Sequence, residues 1–135
     1  MKILLVDDSK LQRVAVQRIL VKAGHEVIVG ADGEEGLQLA RQGSPDLILL
    51  DMMLPRLDGV GVLEALKKDA KMAHIPVIVM TGLSQRNEDR LKGAGAASFY
   101  QKSELGVEKG ADTLLSLVGR VYSDFRKAQA RAVSS

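Results

Sequence analysis

Asp46-Leu47-Ile48-Leu49-Leu50-Asp51-Met52-Met53-Leu54-Pro55-Arg56-Leu57-Asp58-Gly59 is the stretch that decides the fold. Four apolar residues run without alternation into one carboxylate, Asp51. A short unalternating run bounded by turn signals suits a strand buried on both faces, hence a parallel sheet covered by helices. Pro55 and Asp58-Gly59 mark the loop behind it. Asp51 therefore falls where open α/β sheets bind ligands, at the C-terminal end of a central strand. On its own it is equally well an Asp that opens a turn.

Working outward, Ile3-Leu4-Leu5-Val6 is a second such run, ending in Asp7-Asp8-Ser9, where Asp8 or Ser9 can cap a helix. Val16, Ile19, Leu20 and Ala23 make one stripe of that helix, which Gly24 stops. Val27-Ile28-Val29 is a strand, and Asp32 with Glu35 has the spacing of a capping box. Leu37, Leu39 and Ala40 face inward on the helix that follows.

Beyond the central strand, 59–69 reads as a helix with Val62, Leu63 and Leu66 inside. A fourth strand over 75–80 ends in Thr81-Gly82, and Ser84 can cap a polar helix to about Lys92. A fifth strand, 96–101, ends in Lys102. The last helix is expected within 111–127, its inner stripe Leu114, Leu117, Val118, Val121, Tyr122 and Phe125, with 128–135 a disordered tail. Five strand–helix repeats make an α/β fold: a doubly wound, flavodoxin-like parallel sheet in the order 2-1-3-4-5.

The 135 residues fit one domain with a real core, and 46% apolar with 27% charged residues is ordinary for a globular chain. No cysteine means no disulfide framework, thiolate metal site or Cys nucleophile. No apolar run approaches membrane-spanning length. A net charge of +2 and only four aromatic residues, two Tyr and two Phe, give little for nucleic acid to bind.

Four strands thus end in polar residues with chemical use: Asp7 and Asp8, Asp51, Thr81, and Lys102. Each alone has a bland reading as a cap, a turn hydroxyl or a solvated charge. Together, on one sheet edge, they are harder to explain that way. Three carboxylates in one cleft repel unless cations intervene. Oxygen-only ligands suit a hard cation, and Mg²⁺ suits one or two carboxylates with waters and a phosphoryl oxygen. Lys102 adds a cation, Thr81 a hydroxyl donor, and Gly82 room for phosphoryl oxygens to approach the backbone.

These motifs carry a resemblance. Val6-Asp7-Asp8-Ser9, Leu50-Asp51-Met52-Met53-Leu54-Pro55 with Asp58-Gly59, Met80-Thr81-Gly82 and Lys102 closely resemble the receiver domains of two-component response regulators, over about 2–122 of a domain placed at 1–127. The resemblance implies that Asp51 accepts a phosphoryl group from a sensor histidine kinase or phosphotransfer protein. It implies that Asp8, Asp51 and the backbone carbonyl of Met53 ligate Mg²⁺, with Mn²⁺ as the alternative, and that Asp7 acts through water. Thr81 would hydrogen-bond the phosphoryl group and Lys102 would pair with it. Phe99 matches the aromatic switch position, with the neighbouring Tyr100 as the other candidate. A downstream protein would dock on the face of the fourth helix, fifth strand and fifth helix, with no direct contact to nucleic acid or membrane. The implied protein is cytoplasmic, a monomer or weak phosphorylation-dependent dimer, and catalyses only its own phosphotransfer and autodephosphorylation.

The chain departs from the family where Lys-Pro is usual: here it is Lys102-Ser103. A cis bond there would cost about 2.5–4 kcal/mol, so trans is expected. The 104–110 connection looks long. Two other classes fit less well. A haloacid-dehalogenase-type phosphatase needs a second Asp two residues after the nucleophile, and Met53 stands there. A flavin site needs a phosphate loop after the first strand, which Asp7-Asp8 would repel. Gly93-Ala94-Gly95-Ala96-Ala97 follows a helix and precedes a strand, the reverse of a dinucleotide fingerprint. A receiver that binds partners without phosphorylation is the remaining alternative. His25 and His74 read as structural.

Overall fold

The computed structural model describes residues 1–134 apart from 53, 55–57, 83–87 and 107–108; at 88, 106 and 132–134 it describes the backbone alone. Five strands alternate with five helices: β1 Lys2–Val6, α1 Lys10–Lys22, β2 Glu26–Gly30, α2 Gly33–Gly43, β3 Leu47–Asp51, α3 Gly59–Lys68, β4 Val77–Thr81, α4 Glu88–Gly93, β5 Ser98–Gln101 and α5 Gly110–Ser134. A 3₁₀ turn, Lys102–Gly106, joins β5 to α5. All pairings are parallel, in the order β2-β1-β3-β4-β5.

The unalternating apolar runs are explained by two cores, one on each face of the sheet. Leu4, Val6, Ile48, Leu50, Val77 and Val79 pack against α2, α3 and Leu91 of α4. Their strand neighbours Ile3, Leu5, Leu47, Leu49, Ile78 and Met80 pack against α1 and α5. Side chains alternate along a strand, so a strand covered on both sides must be apolar at every position.

The caps fix where each helix leaves the sheet. Ser9 Oγ accepts from the Gln12 N–H at 3.4 Å, Asp32 from Glu35 N–H at 2.8 Å, and Asp58 from Gly61 N–H at 2.8 Å. Glu35 completes the box one residue early, accepting from the Ala31 N–H at 3.1 Å. Gly59 is required by close approach. A Cβ there would stand 2.6 Å from Met52 Cα and 2.8 Å from Asp51 O. Its N–H donates to Met52 O at 3.0 Å, so α3 begins directly against the exit of β3.

Several boundaries differ from the sequence expectations. Ala23 is exposed, because α1 turns its outer face to solvent at that end. β5 begins at Ser98, because the Ala96 N–H closes α4 by donating to Leu91 O. The cap expected of Ser84 lies outside the described residues. α5 does not end at Lys127 but continues to Ser134, through the residues expected to be a disordered tail. Alanine and long polar side chains sustain a helix without a buried face. The Lys102–Ser103 bond is trans. Among the described residues no helix is long and apolar enough to cross a membrane.

Candidate functional site

Because the strands are parallel, their C-terminal ends share one edge. Val6 lies beside Leu50 and Asp51 beside Met80 in the sheet register, with Thr81 beside Gln101 one strand further. That register brings Asp7, Asp8, Asp51, Thr81 and Lys102 to the same edge. Oxygens of Asp7, Asp8 and Asp51 all lie within 4.8 Å of one another. Asp7 and Asp51 are 0% and 2% exposed, whereas Asp8 faces solvent.

Lys102 reaches this cluster despite the missing proline. Its Nζ donates to Asp51 Oδ2 at 2.7 Å and stands 3.5 Å from Asp7 Oδ2. The first is a short charge-assisted hydrogen bond. The second is Coulombic attraction without a hydrogen bond, so Asp7 Oδ2 is a buried oxygen lacking a hydrogen-bond donor among the described residues. Asp7 is held by its other groups. Oδ1 accepts from Ser9 N–H at 2.9 Å, its N–H donates to Gly30 O at 3.0 Å, and its carbonyl accepts from Arg13 Nη1 at 2.8 Å. Arg13, one turn into α1, was not singled out from the sequence. Its position six residues after Asp7 is the only sequence signal of that contact.

The donor set fits a hard divalent cation. Two of the three carboxylates, Asp7 and Asp51, pair with the Lys102 ammonium, and the buried Asp7 Oδ2 has no hydrogen-bond donor among the described residues; a cation would satisfy it. The Met53 carbonyl lies outside the described residues. Thr81 is half-buried at the end of β4, and a Cβ on Gly82 would meet no atom within 4 Å among the described residues.

The two candidate switch aromatics face opposite layers. Phe99 is half-buried against the α2–α3 core, with Lys92 Nζ 5.9 Å from its ring centroid. Tyr100 is 3% exposed in the α1–α5 core, and its hydroxyl donates to Gly110 O at 2.9 Å. Burial, with the nearby Glu104 carboxylate, raises the Tyr100 phenol pKa. Tyr100 is thus held by packing and by its hydrogen bond, whereas Phe99 is only half-buried. His74 stacks on Phe125, ring centroids 6.3 Å apart, in keeping with a structural reading. A groove of about 860 Å³ lies at the opposite edge, between the α3–β4 connection and the outer half of α5, and Asp7, Asp8 and Asp51 do not line it.

The chain has relatives of known family and fold. A family model for the response regulator receiver domain matches residues 3–107. The gliding motility regulatory protein of Myxococcus xanthus is 43% identical over 111 residues, which is 80% of this chain and 14% of that protein. The polar-differentiation response regulator DivK of Brucella ovis is 33% identical over 118 residues, 87% of this chain and 95% of that one. Among solved structures, a CheY-like response regulator receiver domain protein from Methanospirillum hungatei superposes with a TM-score of 0.83 at 28% identity. The match covers 94% of this chain and 97% of that one.

Proposed function

Because this chain belongs to the response regulator receiver domain family of two-component systems, we propose that Asp51 is its phosphoacceptor. The observation that carries the reading is the pairing of buried Asp51 with Lys102 Nζ at 2.7 Å inside a three-carboxylate cluster. A carboxylate oxygen of Asp51 attacks the phosphorus of a phosphohistidine on a kinase or phosphotransfer protein. A P–O bond forms as the P–N bond breaks, and the electron pair stays on the imidazole nitrogen, which takes a proton from solvent. Lys102 is placed to move from the carboxylate to a phosphoryl oxygen, and the Thr81 hydroxyl to donate to another. Hydrolysis later cleaves the new P–O bond and restores the carboxylate. Asp8, Asp51 and the Met53 carbonyl would hold Mg²⁺, with Asp7 through water. The bound ion supplies positive charge against the phosphoryl oxygens.

Phosphorylation replaces about one negative charge with two at Asp51. Thr81 turns toward the new oxygens, and Phe99 moves into the space it leaves. That reshapes the face of α4, β5 and α5, which we read as the docking surface for a downstream protein. Labelling with acetyl phosphate and Mg²⁺ tests the assignment. The wild type should acquire a base-labile acyl phosphate and Asp51→Asn should not. Labelling of Asp51→Asn at the wild-type rate overturns it, and an unlabelled wild type leaves the phosphorylation-independent interaction module as the better reading.

A further inference from the structure

Lys102 lies on a turn that has no proline to stiffen it. Its flanking residues Gln101 and Ser103 are both exposed, so their own burial does not fix it. The turn is instead held from three sides. Tyr100, two residues before Lys102, donates to Gly110 O at 2.9 Å and so ties the end of β5 to the first residue of α5. The Glu104 carbonyl, in the middle of the 3₁₀ turn, sits so close to Gly110 that any side chain there would collide with it. Leu105 packs into the α1–α5 core. The chain between Tyr100 and Gly110 is therefore a closed ring, and Lys102 is a member of it.

We propose that Tyr100 is a positioning residue for Lys102: its hydroxyl, through Gly110 O, holds the turn so that Lys102 Nζ stays on Asp51. In this chain a buried phenol does the stiffening that the usual proline would do by fixing φ. The inference rests on the reading of Asp51 as phosphoacceptor.

Tyr100→Phe deletes the hydroxyl and keeps the ring. Loss of one hydrogen bond should slow labelling by acetyl phosphate about fivefold. In the protein without phosphodonor, the NMR resonances of the Lys102 side chain should shift toward those of a solvated lysine. Gly110→Ala, which pushes the turn off its seat, should act in the same direction. Val121→Ala, which loosens α5 at the far end of its buried stretch, should lower the thermal midpoint yet leave labelling well below the transition unchanged. If Tyr100→Phe is labelled at the wild-type rate and its Lys102 resonances do not move, the positioning role is overturned. It is also overturned if Val121→Ala slows labelling as much as Tyr100→Phe, since the effect is then general helix stability. A wild type that takes no label at all counts against the phosphoacceptor reading, and the Lys102 resonances then decide the positioning role alone.

Discussion

Replacing Asp7 by Asn should stabilise the metal-free protein. Asp7 is fully buried, its Oδ1 occupied by the Ser9 N–H and its Oδ2 lacking a hydrogen-bond donor among the described residues. Lys102 Nζ attracts that oxygen from 3.5 Å, worth about 5 kcal/mol at an effective dielectric of about 20. An Asp51 oxygen within 4.8 Å of an Asp7 oxygen repels the Asp7 carboxylate by at least about 3.5 kcal/mol on the same scale. Asp8, exposed and screened by water, adds about 1 kcal/mol more. The Coulomb contributions nearly cancel, so the sign is set by desolvation. An unsatisfied buried oxygen costs about 1–3 kcal/mol. The amide of Asn keeps an oxygen for Ser9 and removes the buried charge. Asp7→Asn should therefore gain about 2 kcal/mol, which raises the urea midpoint in EDTA by about 1 M at an unchanged slope. Mg²⁺ should stabilise the wild type more than the variant and narrow the gap. A variant that unfolds at lower urea than the wild type in EDTA would refute the reasoning.

Further outcomes follow from other contacts. Asp8→Ala should lose most Mg²⁺ binding by calorimetric titration, and undiminished binding would remove Asp8 from the metal site. The Lys67 ammonium donates to the carbonyls of Ala73 at 3.1 Å and Ile75 at 3.0 Å, and burial lowers its pKa. The unfolded chain then binds that proton more tightly, so stability should rise with pH from the lowered pKa up to about 10.5; Lys67→Met should flatten that rise in urea titrations across alkaline pH. Beryllofluoride, which mimics the phosphoryl group, should shift the ring resonances of Phe99 strongly and those of Tyr100 little. Shifts confined to residues around Asp51 would argue against the Phe99 switch.

Much of this was legible in the sequence because the physics was local. Leu47 to Leu50 had to be covered on both faces, and a strand so covered places Asp51 at its end. The same logic put Asp7 and Thr81 on one edge, since parallel strands finish on the same side. Phe99 and Tyr100 could not be sorted, because which layer each faces depends on the pairing of Tyr100 with Met80. The reach of Lys102 was hidden for a related reason: a bond across ten residues, from Tyr100 to Gly110, leaves no periodic trace. The end of the outer half of α5, 128–134, was missed because the described side chains beyond Phe125, at 126–131, are all exposed and leave no buried stripe to read.

That outer half gives α5 the proportions of a lever. Its 25 residues span about 37 Å, roughly twice the length of the five-residue strands it crosses. Its base, at Gly110, is fastened to the turn that carries Lys102. Its fully buried grip on the sheet ends at Val121. A tilt of about 5° at the base carries Ser134 sideways by about 3 Å. A rearrangement around one lysine too small to alter the sheet would thus arrive, enlarged, at the opposite end of the molecule.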